Sequence, residues 1–295
     1  MDPDPSQDLK ACWQELTRRL EKAKLFFGHG AIDAQSEALW IISKQLDLAP
    51  AEALEKLNQA VTLNQMSSAL AIANERIQTR QPLAYLLGEA WLMGIPFYCS
   101  KQNIVPRSFI AELIIDGTLD PWLPADGSAF DLCTGNGSLA ILLAMHYPDL
   151  QIKAADLSMP ALALAARNLD RHGLSEQIEL LQGDLWSALP ESNQENRFDL
   201  IICNPPYVNT ESMQRLPEEY RAEPIEALAG GVDGMDLIRQ IIGSAGDYLN
   251  ERGALILEIG NEIDHFEKAF PHIPVIWMEV SSGNQQVLLI QAEDL

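Results

Sequence analysis

The chain has 295 residues, 47% of them hydrophobic and 21% charged, enough to bury one large core and a smaller one. Its formal charge of −22, from 42 acidic against 20 basic side chains, counts against a nucleic-acid partner, whose phosphates need a basic patch, and favours a basic protein partner. No apolar run approaches the roughly 18 residues of a membrane span, and Cys12, Cys99, Cys133 and Cys203 are too scattered for zinc pairs or a disulfide framework, so a cytoplasmic protein with reduced thiols is expected.

The opening Met1-Asp2-Pro3-Asp4-Pro5-Ser6 is acidic where a secretion signal would be basic and then apolar. From Asp8 to Phe27, the positions Leu9, Trp13, Leu16, Leu20, Ala23 and Phe27 recur at spacings of four and three, the stripe of an amphipathic helix. Helical periodicity continues over 38–46, 53–61 and 66–77, with breaks at Gly28-His29-Gly30 and Ala49-Pro50. The first ~85 residues therefore read as a helical bundle, and His29, between two glycines, as a loop residue. Short aromatic and β-branched runs at 91–93, 97–99 and 103–105, with Gly94 and Pro96 as turn signals, predict a hairpin-like connector. Ser108 is a candidate N-cap for a helix over 109–115. Beyond it, strand and helix patterns alternate, which predicts an open parallel sheet with strands at 129–133, 151–155, 178–182, 198–203, 254–259, 275–278 and 287–290.

Asp131-Leu132-Cys133 ends one such strand and runs into Thr134-Gly135-Asn136-Gly137, a strand-to-helix turn in which glycines let backbone approach a ligand. The stretch also fits a dinucleotide fingerprint, so a nicotinamide enzyme stays in view. Asp156 ends the next strand about 20 residues on, where a carboxylate can accept from ribose hydroxyls. Asp184 follows the third strand and can accept from an adenine amine, with Leu157, Leu185 and Trp186 as apolar neighbours that flank the ring. Acids rather than cations at the site suit S-adenosylmethionine, which has a sulfonium and no phosphate to neutralise. Asp131 either positions the amino-acid tail of that cofactor or hydrogen-bonds within the turn.

The fourth strand stops at Asn204-Pro205-Pro206-Tyr207. Prolines have fixed φ and no N–H, so they end the strand and leave rigid carbonyls as acceptors. The Asn204 side-chain oxygen and the Pro205 carbonyl can take both N–H groups of a planar NH₂, with Tyr207 packing on its flat face. An amide nitrogen is a poor nucleophile, so alignment must supply the reactivity, and no metal is required. The motif points to N-methyl transfer and leaves glutamine and adenine both open.

With these residues the chain resembles the HemK/PrmC/PrmB group of glutamine N-methyltransferases over nearly its whole length. The resemblance extends to Arg80-Gln81-Pro82-Leu83-Ala84-Tyr85-Leu86, to Asn204-Pro205-Pro206-Tyr207-Val208, and to Leu216-Pro217 with Tyr220-Arg221, Glu223-Pro224 and Leu228-Ala229-Gly230-Gly231. It implies a class I, Rossmann-like methyltransferase fold with a seven-stranded mixed sheet. The implied organisation is a helical substrate-recognition domain over 1–87, a hairpin linker over 88–107 and the S-adenosylmethionine-dependent domain over 108–295. Phe27-Gly28-His29-Gly30, Cys133 before Thr134-Gly135, and Val105-Pro106-Arg107-Ser108 are similar to the branch acting on large-subunit ribosomal protein L-3, whereas release-factor enzymes carry D-x-G-T-G and P-R-P-x-T-E. Cys133 departs from the glycine of the wider methyltransferase motif, and Asn136 stands where the branch often has serine. Release factors, an adenine in DNA, or a non-catalytic role in ribosome assembly are the rival expectations.

Overall fold

The computed structural model describes residues 7–124, 126–189 and 196–295, so the acidic opening 1–6 lies outside the described residues. It divides into two compact units, one of residues up to Gly88 together with Pro217–Ala222, the other of Glu89–Leu216 and Glu223–Leu295.

In the first unit, β1 (Gln7–Asp8) leads into α1 (Leu9–Lys22), whose first turn is closed by the Asp8 carboxylate accepting from the Ala11 N–H at 2.8 Å. Leu9, Cys12, Leu16 and Leu20 form its buried stripe. The helix stops short of the expected Phe27 because Lys24 turns left-handed, with φ +51°. Asp33 caps α2 (Ala34–Gln45), Pro50 occupies the first turn of α3 (Pro50–Glu55), and Thr62 with Gln65 forms a reciprocal cap on α4 (Leu63–Thr79). The helix expected over 53–61 is cut at Glu55, since Ala60–Val61 is drawn out as β2 to pair antiparallel with β1. A short α5 (Leu83–Leu87) ends the unit's main segment.

Within this unit the Arg76 guanidinium is wholly buried and meets two buried carboxylates, Glu37 at 3.2 Å and Glu219 at 3.7 Å, while donating to the Phe26 carbonyl at 2.9 Å. Glu219 also accepts from the Phe26 N–H and pairs with Arg80. His29 lies in a loop as expected, yet it is buried, its ring 4.2 Å from that of Tyr220.

The second unit opens on the hairpin β3 (Glu89–Leu92) and β4 (Ile95–Tyr98), closed by Met93 and Gly94, both at positive φ as a two-residue hairpin turn requires. Pro96 sits in β4 opposite Trp91 rather than in the turn, and residues 103–105 form no strand. Helix α6 (Ile110–Ile115) starts one residue later than expected, although the Ser108 hydroxyl does accept from the Ile110 N–H at 3.2 Å.

The remaining elements are β5 (Ser128–Leu132), α7 (Ser138–His146), β6 (Gln151–Asp156), α8 (Met159–His172), β7 (Ile178–Gln182), β8 (Phe198–Cys203), α9 (Thr210–Arg215), α10 (Asp236–Tyr248), β9 (Leu249–Glu258), α11 (Ile263–Ala269), β10 (Ile276–Val280) and β11 (Gly283–Gln291). The seven strands lie in the order β10-β11-β9-β8-β5-β6-β7. The sheet is mixed rather than parallel, because β11 runs antiparallel to both β9 and β10. Alternation along the strands splits the core by face. Ala129, Ile152, Leu200 and Ile202 pack with residues of α6, α7 and α8, while Phe130, Ala155, Ile201 and Cys203 pack with those of α10 and α11.

Chain order runs from β5 outward through β6 to β7, then returns to β8 on the other side of β5. The sheet therefore reverses between β5 and β8, and at such a reversal connections leave in opposite directions and open a crevice beyond the strands' carboxyl ends.

Candidate active site

The two turns that flank this reversal carry residues 131–137 and Asn204–Tyr207, while Asp156 ends β6 and Asp184 follows β7. After β5, Cys133, Gly135 and Gly137 all adopt left-handed φ, of +63°, +58° and +80°. At Cys133 this costs roughly 1–2 kcal/mol for a residue with a β-carbon, so the cysteine occupies a backbone position that favours glycine. Gly135 meets nothing within 4 Å where a side chain would project, so its peptide lies open to a ligand. The turn is tied to β6 by the Thr134 N–H donating to the Ala155 carbonyl, and by the Gly135 N–H donating to Asp156 Oδ2, both at 2.9 Å. On its other side, the buried Asn168 amide donates to the Asn136 carbonyl at 2.9 Å and accepts from the Tyr98 N–H at 2.7 Å, fastening turn and hairpin together.

Of the two roles open to Asp131, hydrogen bonding around the turn is seen directly. It is fully buried, and its Oδ2 accepts from the Thr134 hydroxyl at 2.5 Å and the Ala140 N–H at 3.1 Å. Oδ1 is buried with no hydrogen-bond partner. Burial pushes this carboxyl up to about 7 against the pull of those two bonds, with Asp156 adding to the rise. Asp156 uses one oxygen on Gly135 and the other on the Ser158 N–H at 2.8 Å, and burial raises it too. Each oxygen keeps a further lone pair for a ligand hydroxyl.

Asp184 is exposed at the head of the short helical turn Leu185–Ala188. Leu157 is 65% exposed beside Asp156, whereas Leu185 is buried. Trp186 is half-buried, stacked on Tyr248 at 4.6 Å between centroids with its N–H donating to the Gln240 carbonyl. Leu157 and Asp184 are thus exposed, whereas Leu185 and Trp186 pack into the protein.

At the end of β8, Asn204 is half-exposed, Pro205 buried, and Pro206 and Tyr207 half-buried. The chain beyond is held by the Val208 N–H donating to the Leu228 carbonyl and the Gly230 N–H donating to the Val208 carbonyl, at 2.8 and 2.9 Å. Asn209 then donates to both oxygens of buried Glu262, and its own side-chain oxygen caps α9. The Tyr207 ring packs on Gly260, where φ is +54° and an added β-carbon would stand 2.4 Å from the ring. Glycine is required there on both counts.

Sequence reasoning missed Glu258. This buried carboxylate at the end of β9 accepts from the Tyr207 hydroxyl at 3.2 Å, the Ser108 hydroxyl at 2.6 Å and the Phe109 N–H at 2.9 Å. Its signal is a lone charge inside the apolar run Ala254-Leu255-Ile256-Leu257-Glu258-Ile259. Glu223, named from sequence only within the family resemblance, takes a bidentate pair from Arg107 and the Val105 N–H, so that Arg107 fixes the approach to α6.

Comparison with known proteins supplies the family. The methyltransferase small domain family matches residues 113–220. The catalytic domain of hMettl16, in a crystal structure with a MAT2A 3′UTR hairpin, is similar in fold with a TM-score of 0.50 at 13% identity, covering 79% of this chain and 84% of that one. The ribosomal protein uL3 glutamine methyltransferase of Bordetella pertussis is 44% identical, over 98% of this chain and 96% of that protein. Its counterpart from Burkholderia pseudomallei is 44% identical over 99% and 97%. An identity of this size over nearly the whole chain makes it a member of the ribosomal protein uL3 glutamine methyltransferase family.

Proposed function

We propose that the protein transfers a methyl group from S-adenosylmethionine to the side-chain amide nitrogen of a glutamine in large-subunit ribosomal protein uL3, and that it does so in the cytoplasm. The observation that carries this reading is the Asn204–Tyr207 turn at the sheet reversal of a chain 44% identical, over 98% of its length, to a uL3 glutamine methyltransferase. Among the described residues, no helix is long and apolar enough to cross a membrane.

The residues present fit the cofactor. The open peptide of Gly135 and the spare lone pairs of Asp156 suit a nucleoside, and Leu157 and Asp184 suit the face and amine of an adenine. Asp131, Thr134 and Gly137 shape the turn, and Cys133 pays its backbone strain there. Bound S-adenosylmethionine supplies a methyl group activated on a cationic sulfur. The protein's own part is alignment. Asn204 Oδ1 and the Pro205 carbonyl accept the two N–H groups of the acceptor amide, Pro206 keeps the carbonyl direction rigid, and Tyr207 flanks the amide plane. Holding a poor nucleophile in a near-attack geometry is worth up to about 7–11 kcal/mol in favourable cases.

The helical unit, with residues 1–87 as its main segment, serves as the substrate-recognition domain, residues 88–107 as the linker, and 108–295 as the transferase domain. The excess of 22 negative charges favours encounter with a basic ribosomal protein. Offered labelled cofactor with purified uL3, with release factor and with duplex DNA in separate reactions, the enzyme labels uL3. Labelling of the release factor alone, or of the DNA, would overturn the assignment.

A further inference from the structure

The transfer turn depends on a residue that makes no contact with the reaction by any route described above. We infer that Glu258 is a positioning residue, which acts on methyl transfer through the Tyr207 hydroxyl. This rests on the role given to Tyr207 above.

Three features argue for it. First, the carboxylate is 2% exposed and sits at the end of β9, the strand next to β8 in the sheet, so its position is set by the same hydrogen-bonded ladder that sets Asn204. Second, its two oxygens divide their work. Oε2 takes the Ser108 hydroxyl and the Phe109 N–H, anchoring the approach to α6, and Oε1 takes the Tyr207 phenol. Third, the ring lies directly against Gly260, where a β-carbon would stand 2.4 Å from it, so glycine gives it a flat floor. Floor and hydroxyl anchor together hold the phenol plane, and a flat side chain held at both ends is what an amide plane needs beside it. Burial raises the carboxyl, while the three donors and the nearby Arg107 pull it back toward the ionised form that accepts all three bonds.

A purely structural Glu258 would predict something different from one acting through Tyr207. Glu258→Gln keeps the shape. Phe109 N–H is an obligatory donor, so the amide oxygen turns toward Ser108 and Phe109 and the NH₂ faces the phenol, which loses its charged acceptor. The test is a double-mutant cycle in which wild type, Glu258→Gln, Tyr207→Phe and the double variant are compared for kcat on uL3, for KM of the cofactor and for thermal midpoint.

Each single variant is expected to lose about tenfold in kcat, the scale of one hydrogen bond to a charged group, with cofactor KM little changed. The double variant is expected to lose no more than either single one. A product of the two losses, near a hundredfold, would show that Glu258 acts through Ser108 and α6 and would overturn the inference, as would a kcat for Glu258→Gln equal to wild type. If wild type itself labels no uL3, the reading of the reaction falls, and this inference with it. Should Glu258→Gln fail to melt cooperatively, Glu258→Asp takes its place in the cycle, keeping the charge but withdrawing it from the phenol by one methylene.

Discussion

The acids around the transfer turns and the buried acids of the helical unit are partnered in opposite ways. In the helical unit, Glu37 and Glu219 face the guanidinium of Arg76, and Arg80 adds a second cation to Glu219. In the sheet unit, Asp131, Asp156 and Glu258 accept from hydroxyls and peptide N–H groups instead, from Thr134, Ala140, Gly135, Ser158, Ser108, Phe109 and Tyr207. A cation beside a buried acid settles its charge permanently and serves stability, though at a desolvation cost. Neutral donors orient an acid without fixing its charge. The difference separates acids that hold shape, among them Glu223 with Arg107 in the sheet unit, from the acids proposed to face a cationic ligand.

That comparison can be broken by substitution. Arg76→Ala removes the cation facing Glu37, leaves Glu219 to Arg80, and is expected to cost about 3–5 kcal/mol of stability, read by chemical denaturation. The transfer chemistry of molecules that remain folded should change little, and a loss of kcat without a loss of stability would erase the distinction. Asn204→Ala is expected to do the reverse, lowering turnover by roughly 10²–10³ with cofactor affinity and melting temperature nearly unchanged. Unchanged turnover would remove Asn204 from the site.

The smallest effect is a pH dependence. Burial holds the Asp131 carboxyl at about 7, above its ordinary value of 3.8, so the folded protein keeps a proton that the unfolded chain releases. This contribution to stability is complete below about pH 4 and is lost as pH rises through about 7. Asp131→Asn keeps an acceptor for Thr134 and Ala140 and cannot titrate, so urea midpoints between about pH 5 and pH 8 should fall less steeply than in wild type. An unchanged slope would mean that Asp131 is ionised throughout.

The seven strands were legible because each is an apolar run bounded by turn residues, and the bounds at 178–182 and 198–203 match β7 and β8. The start of β9 was not, since Asn250-Glu251-Arg252-Gly253 reads as a loop and is drawn into the strand only by its neighbours. Nor was the direction of β11, which no local pattern encodes. At the site, the turn residues stood out through glycine and proline, whose backbone limits are local. The contacts of Glu258 and Glu223 did not, because their partners lie 51–150 and 116–118 residues away along the chain. The same is true of Pro217–Ala222, which belongs to the helical unit although sheet-unit residues precede and follow it.

The central claim is that the acceptor is an amide nitrogen held by Asn204 and Pro205. Acid hydrolysis of the labelled product tests it most directly, since breaking an N-methylated side-chain amide gives glutamate and free methylamine. The account predicts that label from uL3 appears as volatile methylamine, and that none does with Asn204→Ala at matched times. Label retained in a non-volatile amino acid, such as a methylated lysine or arginine, would contradict it.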